Sequence, residues 1–146
     1  MNDDKWDQRF MEIARSVATW SKDPSTKVGA VIVSPCKRKI AVGYNGFPRG
    51  FADYEIRLNH RPTKHMFMQH AERNAMDNCT FDMKDAALYV TAFPCHDCAK
   101  SVIQVGIQRV IVPSESILPG WEQSMDCSKT MFAEVNVHWD ILGEPT

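Results

Sequence analysis

The 146-residue sequence predicts an α/β fold in which helices cover a mixed β-sheet. Three observations predict it. Strand-like runs alternate with helix-like segments through the second half of the chain. Two further runs flank a turn-forming stretch near the start, which makes the opening of the sheet antiparallel. The chain is 44% apolar, enough to bury a substantial core at a length typical of one domain, so residues 1–146 are expected to form a single unit.

The elements follow in order. Trp6, Phe10, Ile13, Ala14, Val17 and Trp20 recur at three- and four-residue steps, the pattern of an amphipathic helix whose apolar stripe packs on the core. "VGAVIV" (28–33) and "KIAVGYN" (39–45) read as two strands joined by "SPCKR". A stretch rich in Gly, Pro, Arg and His, from Gly46 to about Met68, reads as irregular, and a loop of that length in a compact domain is usually functional or disordered. Helix formers return from His70. "AALYVTA" (86–92) is a strand, and the segment from Pro94 to Val105 a helix, since proline is tolerated in a first turn. "RVIV" (109–112) is a strand, 121–133 a helix and "VNVHW" (135–139) a last strand.

Composition narrows the function. Seventeen basic and eighteen acidic residues give a net charge of −1, without the basic stripe that a grip on a long polynucleotide needs. A single phosphate remains within reach of one or two cations. The start, Met1-Asn2-Asp3-Asp4-Lys5, is polar and acidic rather than a secretory signal, and no run approaches the roughly 18 apolar residues of a membrane span. A cytoplasmic protein is expected, with its five cysteines reduced and serving as metal ligands or buried apolar residues.

"TAFPCHDC" (91–98) holds Cys95 and Cys98 at i and i+3, on one face of the predicted helix. In a first turn, free N–H groups and the helix dipole favour thiolates. By itself this CxxC is open between a redox pair, part of a structural zinc knot and part of a catalytic metal site. "HAE" (70–72) bears on the choice. One His and two Cys give zinc three protein ligands and leave the fourth position open, the catalytic pattern. Glu72, two residues from His70, does not share its face and is free to reach a zinc-bound water. His96, inside the CxxC, points away from the metal. H-x-E followed by P-C-x-x-C is the signature of the zinc nucleobase deaminases, with Glu as acid/base. The chemistry fits: exchanging an aromatic amine for a carbonyl needs a nucleophilic water at neutral pH and a proton shuttle. Zinc lowers the pKa of bound water to about 7, and a positioned carboxylate adds roughly 10²–10⁴-fold.

Four segments resemble the deoxycytidylate (dCMP) deaminases of the cytidine deaminase-like superfamily: "SKDPSTKVGAVIV" (21–33), "GYNGFPRG" (43–50), "HAERNAM" (70–76) and "TAFPCHDCAKSVIQVGI" (91–107), with a weaker "PGW" (119–121). The resemblance implies a three-layer α/β/α sandwich around a central mixed five-stranded sheet, Zn2+ on His70, Cys95 and Cys98, and Glu72 as proton shuttle. It implies a hydrolase of a cyclic amidine C–N bond that converts dCMP to dUMP and ammonia for thymidylate synthesis. It further implies that Asn45 contacts the deoxyribose and that backbone around Ala71, Ala92 and Phe93 holds the pyrimidine. Ser21, Lys22 and Ser25 match family positions near the 5′-phosphate, although the same segment also reads as an ordinary helix-to-strand turn. Many members are hexamers activated by dCTP and inhibited by dTTP. Gly43, Tyr44, Asn45, Gly46 and Arg49 match that effector region, where Mg2+ would accompany the nucleotide; a plain turn is the other reading.

The chain departs from the family at three places. The segment after "HAERNAM" is shorter than in many members. Arg73 stands where many have leucine. "PSES" (113–116) lacks the tyrosine that several members stack on the substrate, so that contact is either lost or moved to Trp121 or Phe93. Some phage members carry a second, structural zinc; here Cys36, His60, His65, Cys79 and Cys127 are the available residues, and none forms a tight pair in sequence. Cys79 and Cys127 fall on predicted helices and read as buried apolar residues. A deaminase of tRNA adenine or of single-stranded DNA would share the metal motif but should carry basic and aromatic strand-binding residues. A non-enzymatic zinc module would need a fourth ligand and no Glu72.

Overall fold

The hairpin of "VGAVIV" and "KIAVGYN" forms the antiparallel start of a five-stranded sheet. Strand β1 (Gly29–Val33) pairs antiparallel with β2 (Ile40–Tyr44) on one side and with β3 (Ala87–Val90) on the other. β4 (Arg109–Pro113) and β5 (His138–Leu142) extend it in parallel, giving the order β2-β1-β3-β4-β5. This computed structural model describes residues 3–143; Met1 and Asn2 of the acidic start, and residues 144–146 of the expected 1–146 unit, lie outside the described residues.

The two-residue alternation of the strands sorts the core into two layers. Val31, Val33, Tyr89 and Ile111 face helix α1 (Asp3–Ala18), which contributes Phe10, Met11 and Ala14. Ala30, Ile32, Leu88, Val90, Val110 and Val112 face the opposite side. That side is covered by α4 (Ala71–Asn78), α5 (His96–Gln104) and α6 (Glu122–Val135), through residues such as Ala75, Val102 and Phe132. The result is the expected mixed five-stranded, three-layer α/β/α arrangement.

Gly43 explains how closely α4 lies on the edge strand. A Cβ there would collide with the Ala75 backbone nitrogen and come within 2.6 Å of the Ala71 carbonyl oxygen. Asn74 and Asn78 of α4 donate side-chain hydrogen bonds to the Tyr44 and Val42 carbonyls at 2.7 and 2.8 Å. Edge carbonyls that would otherwise be open to another strand are thereby taken.

Four expectations are corrected. The irregular stretch 46–68 contains two short helices, α2 (Glu55–Asn59) and α3 (Arg61–Phe67). His60 caps α3 by accepting from the Thr63 N–H, and Pro62 sits in its first turn, where no N–H is needed. Trp20 lies beyond α1 and is 57% exposed, and Trp6 is also exposed, so the helical stripe's core share is carried by Phe10, Met11, Ala14 and Val17. The last strand begins at His138, because α6 runs on to Val135 and Asn136 then ends it in a left-handed conformation (φ 61°). Cys127 is exposed rather than buried, while Cys79, just past α4, is half-buried and packs against the core.

Candidate active site

α4 and α5 start at one end of the sheet, α5 just beyond the C-terminal end of β3, and their N-termini bring the sequence motifs together. His70 precedes α4 in extended conformation and Cys95 precedes α5 likewise, while Cys98 lies in the first turn of α5. The His70 Nδ1 atom is 3.5 Å from Cys95 Sγ and 3.4 Å from Cys98 Sγ, and all three donor atoms lie within 4.8 Å of one another. Two ligands of a tetrahedral zinc, at ~2.3 Å for sulfur and ~2.0 Å for nitrogen, stand about 3.5 Å apart. The donor set therefore fits zinc in both chemistry and spacing. Among the described residues no other group of three such side chains converges.

The electrostatics point the same way. Hydrogen bonds from Cys98 and His70 hold the Cys95 thiol far below its ordinary range, at about 4. The Cys95 thiolate, together with burial, pushes Cys98 strongly up, and the hydrogen bond to Cys95 raises His70. Zinc on this donor set would favour ionised sulfurs on both cysteines.

Glu72, in the first turn of α4, is 4% exposed, and burial pushes its carboxyl up to about 7 despite the opposing pull of His70. It lines the same cavity as His70, Ala71, Ala92, Phe93 and Cys95, a space of about 410 Å³. That is within the usual size of a small-molecule site, roughly 300–1,000 Å³.

α6 fixes the cysteine loop, a contribution the sequence reading missed. Ser128, fully buried, donates to the Pro94 carbonyl at 2.8 Å, and the Ser124 hydroxyl accepts from the His96 backbone N–H at 2.9 Å. The His96 ring also meets Ser124 Oγ, at 2.7 Å, and is not part of the metal group. Of the two aromatic residues expected near the base, Phe93 has its ring in the core against Phe132 and Trp139. Trp121 is half-buried at the cavity wall with its ring edge-on to His70, the centroids 6.3 Å apart. Ser116 is buried, and its carbonyl accepts from the Phe93 N–H at 3.1 Å.

A second polar cluster lines the cavity, and Asp23 is its hub. Its Oδ1 accepts from the Ser25 and Thr26 N–H groups and from Lys64 Nζ at 2.9, 3.2 and 3.0 Å. Burial alone would raise the Asp23 carboxyl, yet the backbone of Ser25 and the Lys64 ammonium keep it below its ordinary value. Asn45 donates to Asp23 Oδ2 and to the Thr26 carbonyl, and accepts from the Val28 N–H. Of the residues expected near the phosphate, Ser25 lines the cavity. Ser21 instead donates to the Asn45 carbonyl and is buried. Lys22 is exposed, 2.9 Å from Asp53, and does not line the cavity. The expected effector residues are dispersed: Gly43 lies under α4, Tyr44 meets Trp20 edge-on, Gly46 bridges to Gln69 and Arg49 is exposed.

Comparison with known proteins agrees with this site. Residues 4–114 match the cytidine and deoxycytidylate deaminase zinc-binding region. The chain belongs to the cytidine and deoxycytidylate deaminase family. The match includes His70, Glu72, Cys95 and Cys98. The chain is 41% identical over 145 residues to an uncharacterized deaminase of Aliivibrio fischeri, covering 94% of this chain and 97% of that one. It is 40% identical over 117 residues to human deoxycytidylate deaminase, covering 76% of this chain and 66% of the human one, so just under two thirds of that longer relative is spanned. In structure it resembles dCMP deaminase of the cyanophage S-TIM5, solved with dCMP and dUMP, at a TM-score of 0.75 and 24% identity over 94% of this chain and 96% of that one. The deaminase fold is thus shared well beyond the metal motif. Among the described residues no helix is long and apolar enough to cross a membrane.

Proposed function

We propose that the protein hydrolyses dCMP to dUMP and ammonia, with zinc held by His70, Cys95 and Cys98. The observation that carries the reading is Glu72: a buried carboxyl poised at about 7 beside an open His–Cys–Cys donor set, in one cavity. Zinc, when bound, supplies a water acidic enough to attack C4 of the base near neutral pH. Glu72 accepts one proton from that water and delivers it to ring N3, where it stays in the product, then carries the oxygen's second proton to the amino group, so that the C4–N bond breaks, ammonia leaves and C4=O forms; one carboxyl serves as base and then as acid. The backbone at Ala71, Ala92 and Phe93 borders the base, Trp121 offers it an aromatic wall, and Asn45 borders the sugar. The deoxycytidylate deaminases among the relatives support dCMP as the substrate. We treat residues 1–146 as one domain and place it in the cytoplasm, where thiol ligands stay reduced.

The zinc-loaded protein is expected to remove cytosine absorbance from dCMP, with far slower turnover of cytidine, dCTP and a cytosine-containing oligonucleotide. Equal turnover of cytidine would contradict the nucleotide reading, and preference for the oligonucleotide would reassign the substrate to single-stranded DNA.

Regulation by dCTP as activator and dTTP as inhibitor, in a homo-hexamer, extends the proposal. Arg49, an exposed cation near the Gly43–Gly46 segment, is suited to an effector phosphate, which Mg2+ would accompany. The rate against dCMP concentration is then expected to be sigmoidal and to become hyperbolic with dCTP. Hyperbolic kinetics without effector would rule regulation out.

A further inference from the structure

Cys95 stands just before α5 in extended conformation, with φ −69° and ψ 169°, and the two peptide planes that define these torsions are both held from α6. We infer that Ser124 and Ser128 are positioning residues of the metal group: together they fix the backbone of Cys95, and through it the direction of its sulfur, so that the chain retains zinc. The inference rests on the zinc reading above and goes beyond it, because it assigns retention of the metal to a helix that supplies no ligand.

Each torsion has its own constraint. The Pro94–Cys95 plane, which sets φ, is held by its carbonyl, which accepts from Ser128 Oγ at 2.8 Å. The Cys95–His96 plane, which sets ψ, is held at both edges. Its N–H donates to Ser124 Oγ at 2.9 Å, and its carbonyl accepts from the Ala99 N–H at 2.8 Å. With both planes fixed, the Cα–Cβ bond has one direction, and only the side-chain rotamer remains to place Sγ. Cys98 needs no such help, since it lies within α5 and takes the torsions of the helix. Cys95 is half outside α5, and its side chain makes no cap hydrogen bond.

α6 is suited to the task. Residues 124 and 128 are one turn apart on one face of the helix, and Met125 and Phe132, both buried, anchor that helix on the core. Ser128 is fully buried, so its hydroxyl must find a protein partner rather than bulk water. The ordinary back-bond of a helical serine, to the Ser124 carbonyl, measures 3.2 Å, and the Pro94 carbonyl is nearer at 2.8 Å. Ser124 Oγ accepts the His96 N–H and so keeps its own hydrogen for the His96 ring, whose Nδ1 is 2.7 Å away. That contact turns the imidazole toward α6 and holds the Ser124 hydroxyl in place. The groups of a functional site must be kept to within roughly 10–20° of their working geometry, so a loop released at either plane misplaces the sulfur.

The test is zinc retention by the full chain. Ser124→Ala and Ser128→Ala, each loaded with zinc and titrated with a chromophoric chelator, are expected to bind the metal about 10–100-fold more weakly than wild type. The double variant should lose less than the product of the two single losses, because both hydroxyls act through Cys95. Ser124→Thr, which keeps a hydroxyl, should restore most of the affinity. Thr130→Ala is the control: Thr130 Oγ1 donates within α6, to the Asp126 carbonyl at 3.0 Å, and its loss should leave zinc affinity unchanged. Co2+-substituted samples report the geometry directly, with d–d bands that shift in the two serine variants and not in Thr130→Ala. Should Ser128→Ala not fold, Ser124→Ala, at a half-buried position, decides the matter alone. Wild-type zinc affinity and Co2+ bands in the serine variants overturn the inference while leaving the zinc site and deamination intact. An equal loss in Thr130→Ala also overturns it, since the serines would then be general supports of α6. A wild type that binds no zinc overturns the zinc reading and this inference together.

Discussion

Replacing Glu72 with glutamine is expected to lower kcat on dCMP by about 10²–10⁴-fold while the zinc content stays at the wild-type level. Glutamine preserves the shape of the buried side chain but cannot take up a proton, and His70, Cys95 and Cys98 keep their donor atoms. Metal analysis beside steady-state kinetics checks both halves, and a variant that turns over at the wild-type rate would remove Glu72 from the mechanism. The same carboxyl carries a cost in stability. Its folded pKa, about 7, lies above the ordinary 4.5, because burial penalises the ion. A group raised in this way contributes fully below pH 4.5 and loses its contribution as pH rises through 7. In the metal-free protein the wild type at pH 8 therefore carries a penalty of about 3 kcal/mol that glutamine lacks. Urea unfolding of chelator-treated samples is expected to show Glu72→Gln more stable than wild type at pH 8, with the difference nearly gone at pH 4.5. The residue that serves the chemistry is thus expected to weaken the empty fold, a common trade at active sites.

What was legible in the sequence was set by short-range constraints. The Pro94-Cys95-x-x-Cys98 spacing places two sulfurs at the start of a helix through local geometry alone, and His70-Ala71-Glu72 does the same for an imidazole and a carboxyl on two different faces. The β1–β2 hairpin is likewise a local object. The missed features depend on distant partners or on composition that misleads. Lys64 is buried because Asp23, 41 residues earlier in the chain, is there to receive it. Nothing near Lys64 in sequence announces that, and lysine is ordinarily a surface residue. α3 was obscured by its own His, Pro and Arg, although His60 as cap and Pro62 in the first turn are start signals for a helix. In "SKDPSTK" the hydroxyls and Lys22 are the obvious phosphate-binding types, while the Asp-Pro-Ser turn points to Asp23, whose carboxylate receives the N–H groups two and three residues ahead. That signal was available. The left-handed turn at Asn136, by contrast, was hidden inside an apolar alternation that reads as strand.

Asp7→Ala is expected to destabilise the fold by about 3 kcal/mol and to leave the turnover of the folded protein unchanged. Asp7 is almost fully buried on the α1 side of the sheet. Arg109 grips it with two donors, Nη1 to Oδ1 at 3.0 Å and Nη2 to Oδ2 at 2.6 Å, and the Tyr89 hydroxyl donates to Oδ1 at 2.6 Å. The carboxylate thus ties α1 to β3 and β4 at once, and its hydrogen bonds push Arg109 further above its ordinary value. Alanine strands a guanidinium and a buried phenol together. Removing one partner of a buried pair costs about 3–5 kcal/mol, and the lower end applies because Arg109 is one-third exposed and keeps Asp140 at 3.3 Å. For a chain of this size that corresponds to a fall in Tm of about 6–12 °C, readable by circular dichroism. Asp7→Asn, which still accepts from Tyr89, should lose less. Because α1 and the α4–α5 site lie on opposite faces of the sheet, kcat on dCMP at 25 °C should not follow Tm in Asp7→Ala. Glu72→Gln should show the reverse, activity lost with the fold kept or strengthened. A fall in kcat for folded Asp7→Ala would mean instead that the sheet transmits the position of α1 to the metal site.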